Sequence, residues 1–280
     1  MKNLLVIFMV VFCFSICISQ NTASKDKTLP MVGYWHKALQ RNVNVAETQT
    51  FKFPGAKQAK QDVVKQNYNA NWEIIDSTNS NYFIQYKVTS FYFDILNDSL
   101  NKYLNKMMPD FIFKYKTNEV GNFESVTNKE EIKETLNKAI NSLDSKENWI
   151  LLIQAFIELT IEKDLKKIHH FYGLQYKKNT NYTYDTIIES IKTLNRYKAK
   201  NVYKLVNLYP NENKAKFNGV IQSYQLNHKI KDKIRKEDLT INIEAEISLT
   251  EGYPIKTIFS YQSTSKTIIE NITTTIIFTP

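Results

Sequence analysis

Between Leu239 and Leu249 every second residue is apolar: Leu239, Ile241, Ile243, Ala245, Ile247 and Leu249 alternate with Thr240, Asn242, Glu244, Glu246 and Ser248. A period of two puts all the apolar side chains on one face of an extended strand and all the polar ones on the other. A strand this long with one wet face belongs to an antiparallel sheet whose other face is covered. The same logic extends in both directions along the chain. Glu251-Gly252 turns the chain into Ile255–Tyr261, and Tyr261–Lys266 loops it into Ile268–Phe278, where Ile272, Thr274, Ile276 and Phe278 share a face.

Further strands are expected upstream. Trp72–Asp76 and Tyr82–Val88 flank the turn formers Asp76–Asn81, and Phe91–Leu96 extends the second of them. Phe111–Thr117 and Phe123–Val126 flank Asn118-Glu119-Val120-Gly121, a hairpin in which Gly121 supplies the positive φ. Val202–Leu208 and Ala215–Leu226 are expected as strands, with a bulge at Gly219. Trp35-His36 reads as a short strand or helix. Lys57–Lys65 reads as a polar connector or short helix, and Tyr176–Tyr184 as a polar, tyrosine-rich connection.

From Asn128 the period changes to 3.6. Asn128 is an N-cap with Glu131 three residues on, and Ile132, Leu136, Ala139, Ile140 and Leu143 share one helical face. A second helix carries Trp149, Leu152, Ile153, Phe156, Ile157 and Ile161; it is apolar around much of its girth and so packs on more than one side. Gly173 ends the helical stretch. Strands, then helices at about 129–172, then strands predict an α+β fold. The expected form is one large curved antiparallel sheet, half-barrel-like, with the helical insertion packed on its inner face.

The N-terminus predicts an address. Lys2 leads into the apolar run Leu4–Phe14 and then to small or medium residues before Gln20, the pattern of a secretory signal peptide cleaved after Ser19. Residues 1–19 are then removed, and 20–280 form one α+β domain. The rival lipoprotein reading needs Gly, Ala or Ser before the anchoring cysteine, but Ile16 precedes Cys17 and Phe12 precedes Cys13. The run is also shorter than the ~20 residues of a bilayer span, so no transmembrane anchor is expected after cleavage. Cleavage removes both cysteines, and with them disulfides, thiolate nucleophiles and cysteine-ligated metals. The remaining ~260 residues are enough to stand on a core alone.

The formal charge is +9, less the one charge of Lys2. The basic runs Lys57–Lys65, Lys163–Lys167, Arg196–Lys200 and Lys229–Lys236 are mostly interrupted by acids, as at Asp62, Asp164, Asp232 and Glu237. They read as a solvated surface, or as affinity for an anionic envelope surface. No motif for specific nucleic-acid recognition is present.

Catalytic signals are weak. His169 and His170 are adjacent, so on a helix they point about 100° apart and cannot share a metal as an i,i+4 pair does. They read as packing or helix-end residues, as do His36 and His228. Glu130-Glu131 opens a helix, and Glu244 and Glu246 lie on the wet face of a strand. No nucleophile elbow, phosphate loop or dinucleotide motif occurs. Hence no catalytic residue, metal or cofactor is expected, and no ligand-binding residue is assigned. Aromatic clusters at Tyr82–Phe93, Phe171–Tyr184 and Tyr203–Tyr209 read as core or as the lining of a groove for an acyl chain or glycan.

The signal ending in Ser-Gln, the Lys- and Asn-rich composition, the hairpin Tyr115–Phe123 and the cap Asn128/Glu131 resemble uncharacterised exported proteins of Bacteroidetes-type Gram-negative bacteria, over residues 65–280. These motifs are structural and imply no site residue. More loosely, the expected architecture is similar to periplasmic lipoprotein-carrier folds. Three functions are expected in order. The first is an exported, non-enzymatic envelope protein, in the periplasm or on the outer cell surface, binding a lipid-like or amphipathic ligand. The second is a surface interaction module using Lys229–Lys236. The third is a hydrolase built on dispersed acids or His169.

Overall fold

A computed structural model describes residues 28–53, 61–94, 98–141, 161–189, 196–224, 229–230, 233–234, 238–264 and 269–280. The strands are β1 (Thr28–Pro30), β2 (Gln40–Lys52), β3 (Gln61–Ser77), β4 (Asn81–Phe93), β5 (Ile112–Asn118), β6 (Phe123–Val126), β7 (Gln175–Lys177), β8 (Asn181–Glu189), β9 (Arg196–Tyr209), β10 (Lys214–Tyr224), β11 (Lys229–Ile230), β12 (Lys233–Ile234), β13 (Asp238–Ser248), β14 (Pro254–Thr264) and β15 (Ile269–Thr279). The helices are α1 (Asp98–Met107), α2 (Lys129–Asn141) and α3 (Glu162–Ile168). The expected apolar helix from Trp149 falls almost wholly outside the described residues; of the expected Tyr261–Lys266 loop, Tyr261–Thr264 is instead the end of strand β14, paired with β15, and the rest lies outside the described residues.

Eleven strands form one antiparallel sheet in the order β6-β5-β4-β3-β2-β15-β14-β13-β10-β9-β8. Neighbours in sequence are neighbours in space except where β2 meets β15 and β10 meets β13. The β2–β15 pair, with Val45 opposite Ile276 and Val43 opposite Phe278, joins strands from before and after the helices into a single sheet. The sheet is not closed: β6 and β8 are its two edges.

Register keeps one face apolar across strand after strand. Tyr86 on β4 lies opposite Trp72 on β3, and Val45 on β2 lies opposite Tyr68. Ala245 on β13 pairs with Thr257 on β14 and with Phe217 on β10. All of these are buried. The reverse face carries Asn44, Asn67, Asn69, Thr48, Thr273, Asn242, Glu244 and Asn218, all exposed. Polar reverse-face residues therefore mark the solvent side, as period two demands.

The covered face is capped by chain segments. β1 pairs with β7. Residues 31–39 have no helix or strand, correcting the expectation for Trp35-His36; instead Met31 N–H bonds Leu174 O at 2.9 Å and Gly33 N–H bonds Val120 O at 3.1 Å. α1 serves β4 where β5 no longer reaches it. Asn101 and Asn105, one helical turn apart, accept the N–H groups of Phe93 (3.0 Å) and Phe91 (2.9 Å). Two amides thus take the place of a neighbouring strand.

Four further expectations are corrected. Lys57–Lys65 is strand from Gln61, and the Trp72 strand begins eleven residues before Trp72. Tyr176–Tyr184 holds β7 and the start of β8 rather than a plain connection. The β10 bulge opposite β9 lies at Lys216/Phe217, not Gly219. Gly219 is there for clearance: a Cβ would meet the Tyr203 ring at 2.5 Å. Asn128 precedes α2 as expected, but its Oδ1 accepts Lys114 N–H at 2.8 Å, tying the helix start to β5, while its Nδ2 reaches Glu131 at 3.2 Å.

Candidate functional site

α3 and the turn after it lie on the covered face and bring polar groups into it. Asp164 Oδ2 accepts the Tyr68 hydroxyl at 2.8 Å, and Asp164 Oδ1 meets Lys167 Nζ at 2.9 Å. Lys167 also donates to Thr274 Oγ1 at 2.9 Å and lies 3.8 Å from Glu47. Thr274 donates to Glu47 Oε2 at 2.8 Å, and Gln49 Nε2 to Glu47 Oε1 at 2.8 Å. Glu47, Asp164, Glu270 and Thr274 are all buried. A buried charge is tolerated only when paired and hydrogen-bonded, and this network supplies both for Glu47 and Asp164. Burial raises the Glu47 carboxyl, but Lys167 and Lys163 with the Gln49 and Thr274 bonds outweigh it and hold it below the usual carboxylate range. Burial and the neighbouring Lys167 push the Lys163 ammonium below the ordinary lysine value, with Glu47, Asp164 and Glu270 opposing.

Beyond this network the covered face stays apolar but is less deeply buried. In register across the strands stand Ile272 on β15, Tyr261 on β14, Ile241 on β13 and Ile221 on β10. Ile221 is buried and the other three are half-buried. Three strand steps of ~4.8 Å make this row about 14 Å long. Gln49 on β2 flanks it at the Ile272 end and Asn201 on β9 at the Ile221 end.

His169 is locked elsewhere on the same face. Its Nδ1–H donates to Gly121 O at 2.8 Å, and its Nε2 accepts the Tyr115 hydroxyl at 2.8 Å. Tyr115 in turn accepts Trp72 Nε1–H at 2.8 Å. The carbonyl fixes the tautomer, since only a protonated Nδ1 can serve it. Trp35 seals the group, its ring 5.3 Å from Trp72, 5.6 Å from His169 and 5.3 Å from Tyr172. Burial drives His169 down to about 3, against the Gly121 bond, and His170 down to about 4. His170 Nε2 shares a hydrogen bond with the Tyr203 hydroxyl. Both rings are thus neutral packing groups, and the two histidines face opposite ends of the sheet.

The other candidate residues do not meet. His36 is exposed before β2. Glu130 and Glu131 are exposed on α2, with Glu131 paired to Lys114 at 3.1 Å. Glu244 and Glu246 sit on the reverse face, 3.8 Å from Lys216 and 3.5 Å from Lys214. Lys229, Ile230, Lys233 and Ile234 form the two-stranded β11–β12 hairpin, and His228 lies outside the described residues. A cleft of about 440 Å³ between β6 and α3 is lined in similar measure by polar and apolar surface; His169 and His170 both border it together with Phe123, Glu124 and Glu162, and Lys129 (3.5 Å) and Lys166 (2.9 Å) both pair with Glu162. No group of three or more metal-ligating side chains occurs among the described residues. None of their helices is long and apolar enough to cross a membrane.

No protein-family model matches the chain, and no curated relative matches it. Among solved structures the chain is similar to lipovitellin, in a structure concerned with lipid–protein interactions, at TM-score 0.50 and 10% identity over 88% of this chain and 25% of that one. The chain thus spans a quarter of the lipovitellin chain's length, and the likeness speaks of the fold alone. DynF from the dynemicin biosynthesis pathway of Micromonospora chersina (TM-score 0.20, 7% identity, 92% of this chain and 87% of that one) carries no argument. Nor does Ail, the attachment invasion locus protein of Yersinia pestis (0.15, 4%, 87% and 99%).

Proposed function

We propose that the chain is an exported, non-enzymatic protein of the cell envelope that holds a lipid-like or other amphipathic ligand against the covered face of its sheet. The observation that carries this reading is the half-buried apolar row Ile272, Tyr261 and Ile241, continuous with buried Ile221 and bordered by a polar network. Apolar surface left only half covered beside convergent polar groups is what an amphipathic ligand completes. The fold likeness to lipovitellin, whose structure concerns lipid, supports the same reading.

In its finer form the proposal is a half-barrel with the 129–172 segment against its inner face. Adjacent His169 and His170 reach Tyr115 on β5 and Tyr203 on β9, eight strand steps apart in the sheet. In a flat sheet those strands stand roughly 38 Å apart, while neighbouring Cα atoms are about 3.8 Å apart. Only strong curvature around the α3 turn reconciles the two lengths. Export rests on Lys2, Leu4–Phe14 and Ser19, with residues 1–19 removed and the product in the periplasm or on the outer surface.

Purification from the envelope without detergent, followed by native mass spectrometry and organic extraction, tests the reading. An amphiphile released in about one copy per chain supports it. A chain that carries no amphiphile and takes none up when offered one refutes it.

A further inference from the structure

The reverse face of the sheet changes character across its width. On β10 and β13 it is an ordinary solvated surface, where Glu244 reaches Lys216 at 3.8 Å and Glu246 reaches Lys214 at 3.5 Å. On β2 and β15 it is not. No reverse-face residue of β2 from Asn42 to Thr50, or of β15 from Asn271 to Thr279, carries a charge, in a chain that is 23% charged. A solvated surface ordinarily carries a charge at roughly one residue in three or four.

Hydroxyls and amides occupy this field in register. Thr48 lies opposite Thr273, Thr273 opposite Ser260 on β14, and Ser260 opposite Asn242 on β13. One same-face position along the strands, Thr50, Asn271 and Gln262 repeat the pattern. In the other direction Asn44 Nδ2–H donates to Asn69 Oδ1 on β3 at 2.9 Å, and Asn69 Nδ2–H donates to Ser90 Oγ on β4 at 2.8 Å. These bonds hold the amides in order, and each amide keeps further donor and acceptor capacity. Tyr92, 46% exposed, stands beside them on β4, opposite Asn67. Lys65 and Lys256 mark the border. Four strand steps of ~4.8 Å from β3 to β13 make the field about 19 Å wide, and Asn42 to Thr50 makes it about 27 Å long.

We propose that this field binds a segment of an uncharged polysaccharide, separately from the amphiphile on the opposite face. Saccharide hydroxyls both donate and accept, as the side chains of Thr, Ser, Asn and Gln do between them. The apolar C–H faces of a sugar suit an exposed aromatic ring such as Tyr92. An anionic polymer or lipid head laid across the field finds no cation between Asn42 and Thr50 and gives up its hydration without return. An extended peptide makes its backbone bonds at a strand edge, whereas this is a strand face.

Isothermal titration of the mature protein with cellohexaose, laminarihexaose and maltohexaose, and with hexagalacturonate as the charged counterpart, tests the inference. Saturable binding of at least one neutral hexasaccharide, at least tenfold tighter than hexagalacturonate, is expected. Thr273→Glu puts a charge in the middle of the field and is expected to weaken that binding at least tenfold with the urea midpoint unchanged. Tyr92→Ala weakens it as well, while Lys216→Gln, on the ion-paired side, leaves it as it was. Absence of binding by all three neutral hexasaccharides overturns the inference, as does hexagalacturonate binding equally well or undiminished binding by Thr273→Glu. A dimer that Thr273→Glu dissociates also overturns it, since the face then belongs to a second copy of the chain. The amphiphile reading concerns the opposite face and is untouched by each of these results.

Discussion

Moving the protein from pH 7 to pH 5 will remove about 4 kcal/mol of stability through two histidines, the buried His169 and the half-buried His170. His169 and His170 are held neutral in the fold, at about 3 and about 4. In the unfolded chain both titrate near 6.5. As the pH falls below 6.5 the unfolded state takes up protons that the folded state refuses, so each histidine's contribution is complete above that value. It drains away as the pH falls toward about 4 for His170 and about 3 for His169. Between pH 7 and 5 each contributes a loss of about 2 kcal/mol. Glu47 and Glu162, both held below the ordinary carboxylate range, begin to lose stabilisation only below about 4.5, outside this window. Urea unfolding at pH 7, 6 and 5, followed by the fluorescence of buried Trp35 and Trp72, reads the effect. His170→Gln, which keeps a hydrogen-bonding group for Tyr203, will halve the pH dependence. An unfolding free energy that is the same at pH 5 and pH 7 refutes the neutral, buried assignment.

Two further outcomes test the packing. Tyr115→Phe leaves Trp72 Nε1–H and His169 Nε2 without their shared hydroxyl, and is expected to lower stability by about 2–4 kcal/mol; an unchanged urea midpoint contradicts the relay. Gly219→Ala drives a Cβ into the Tyr203 ring and is expected to lower stability by about 1–3 kcal/mol, with Tyr203→Leu restoring most of it in the double variant; additive effects contradict the contact.

Period-two patterning was legible wherever the two faces differ in chemistry. Leu239–Leu249 alternates apolar with polar, and β13 follows within a residue at each end. The first half of β3 is not legible in the sequence because Gln66 faces inward while Asn67, Asn69 and Asn71 face outward, so polar residues occupy both sides. α1 hid for a related reason: Asn101 and Asn105 read as turn formers, yet they serve the backbone of β4. Its apolar signal, Leu104 with Met107, is brief. The candidate site was the least legible part. Glu47, Thr274 and the α3 residues Lys163, Asp164 and Lys167 come from three distant stretches, and only the β2–β15 pairing and the placement of α3 bring them together. Lys163 itself reads in sequence as one more member of a solvated basic run.

The central claim is that the covered face, and not the wet one, receives the amphiphile. Photo-crosslinking of the purified protein with a diazirine analogue of palmitate, mapped by peptide mass spectrometry, tests it most directly. Labels on Ile241, Tyr261 or Ile272, competed away by palmitate, are the predicted result. Labels confined to the reverse face at Thr48, Thr273 and Asn242, or to the β11–β12 hairpin, contradict it.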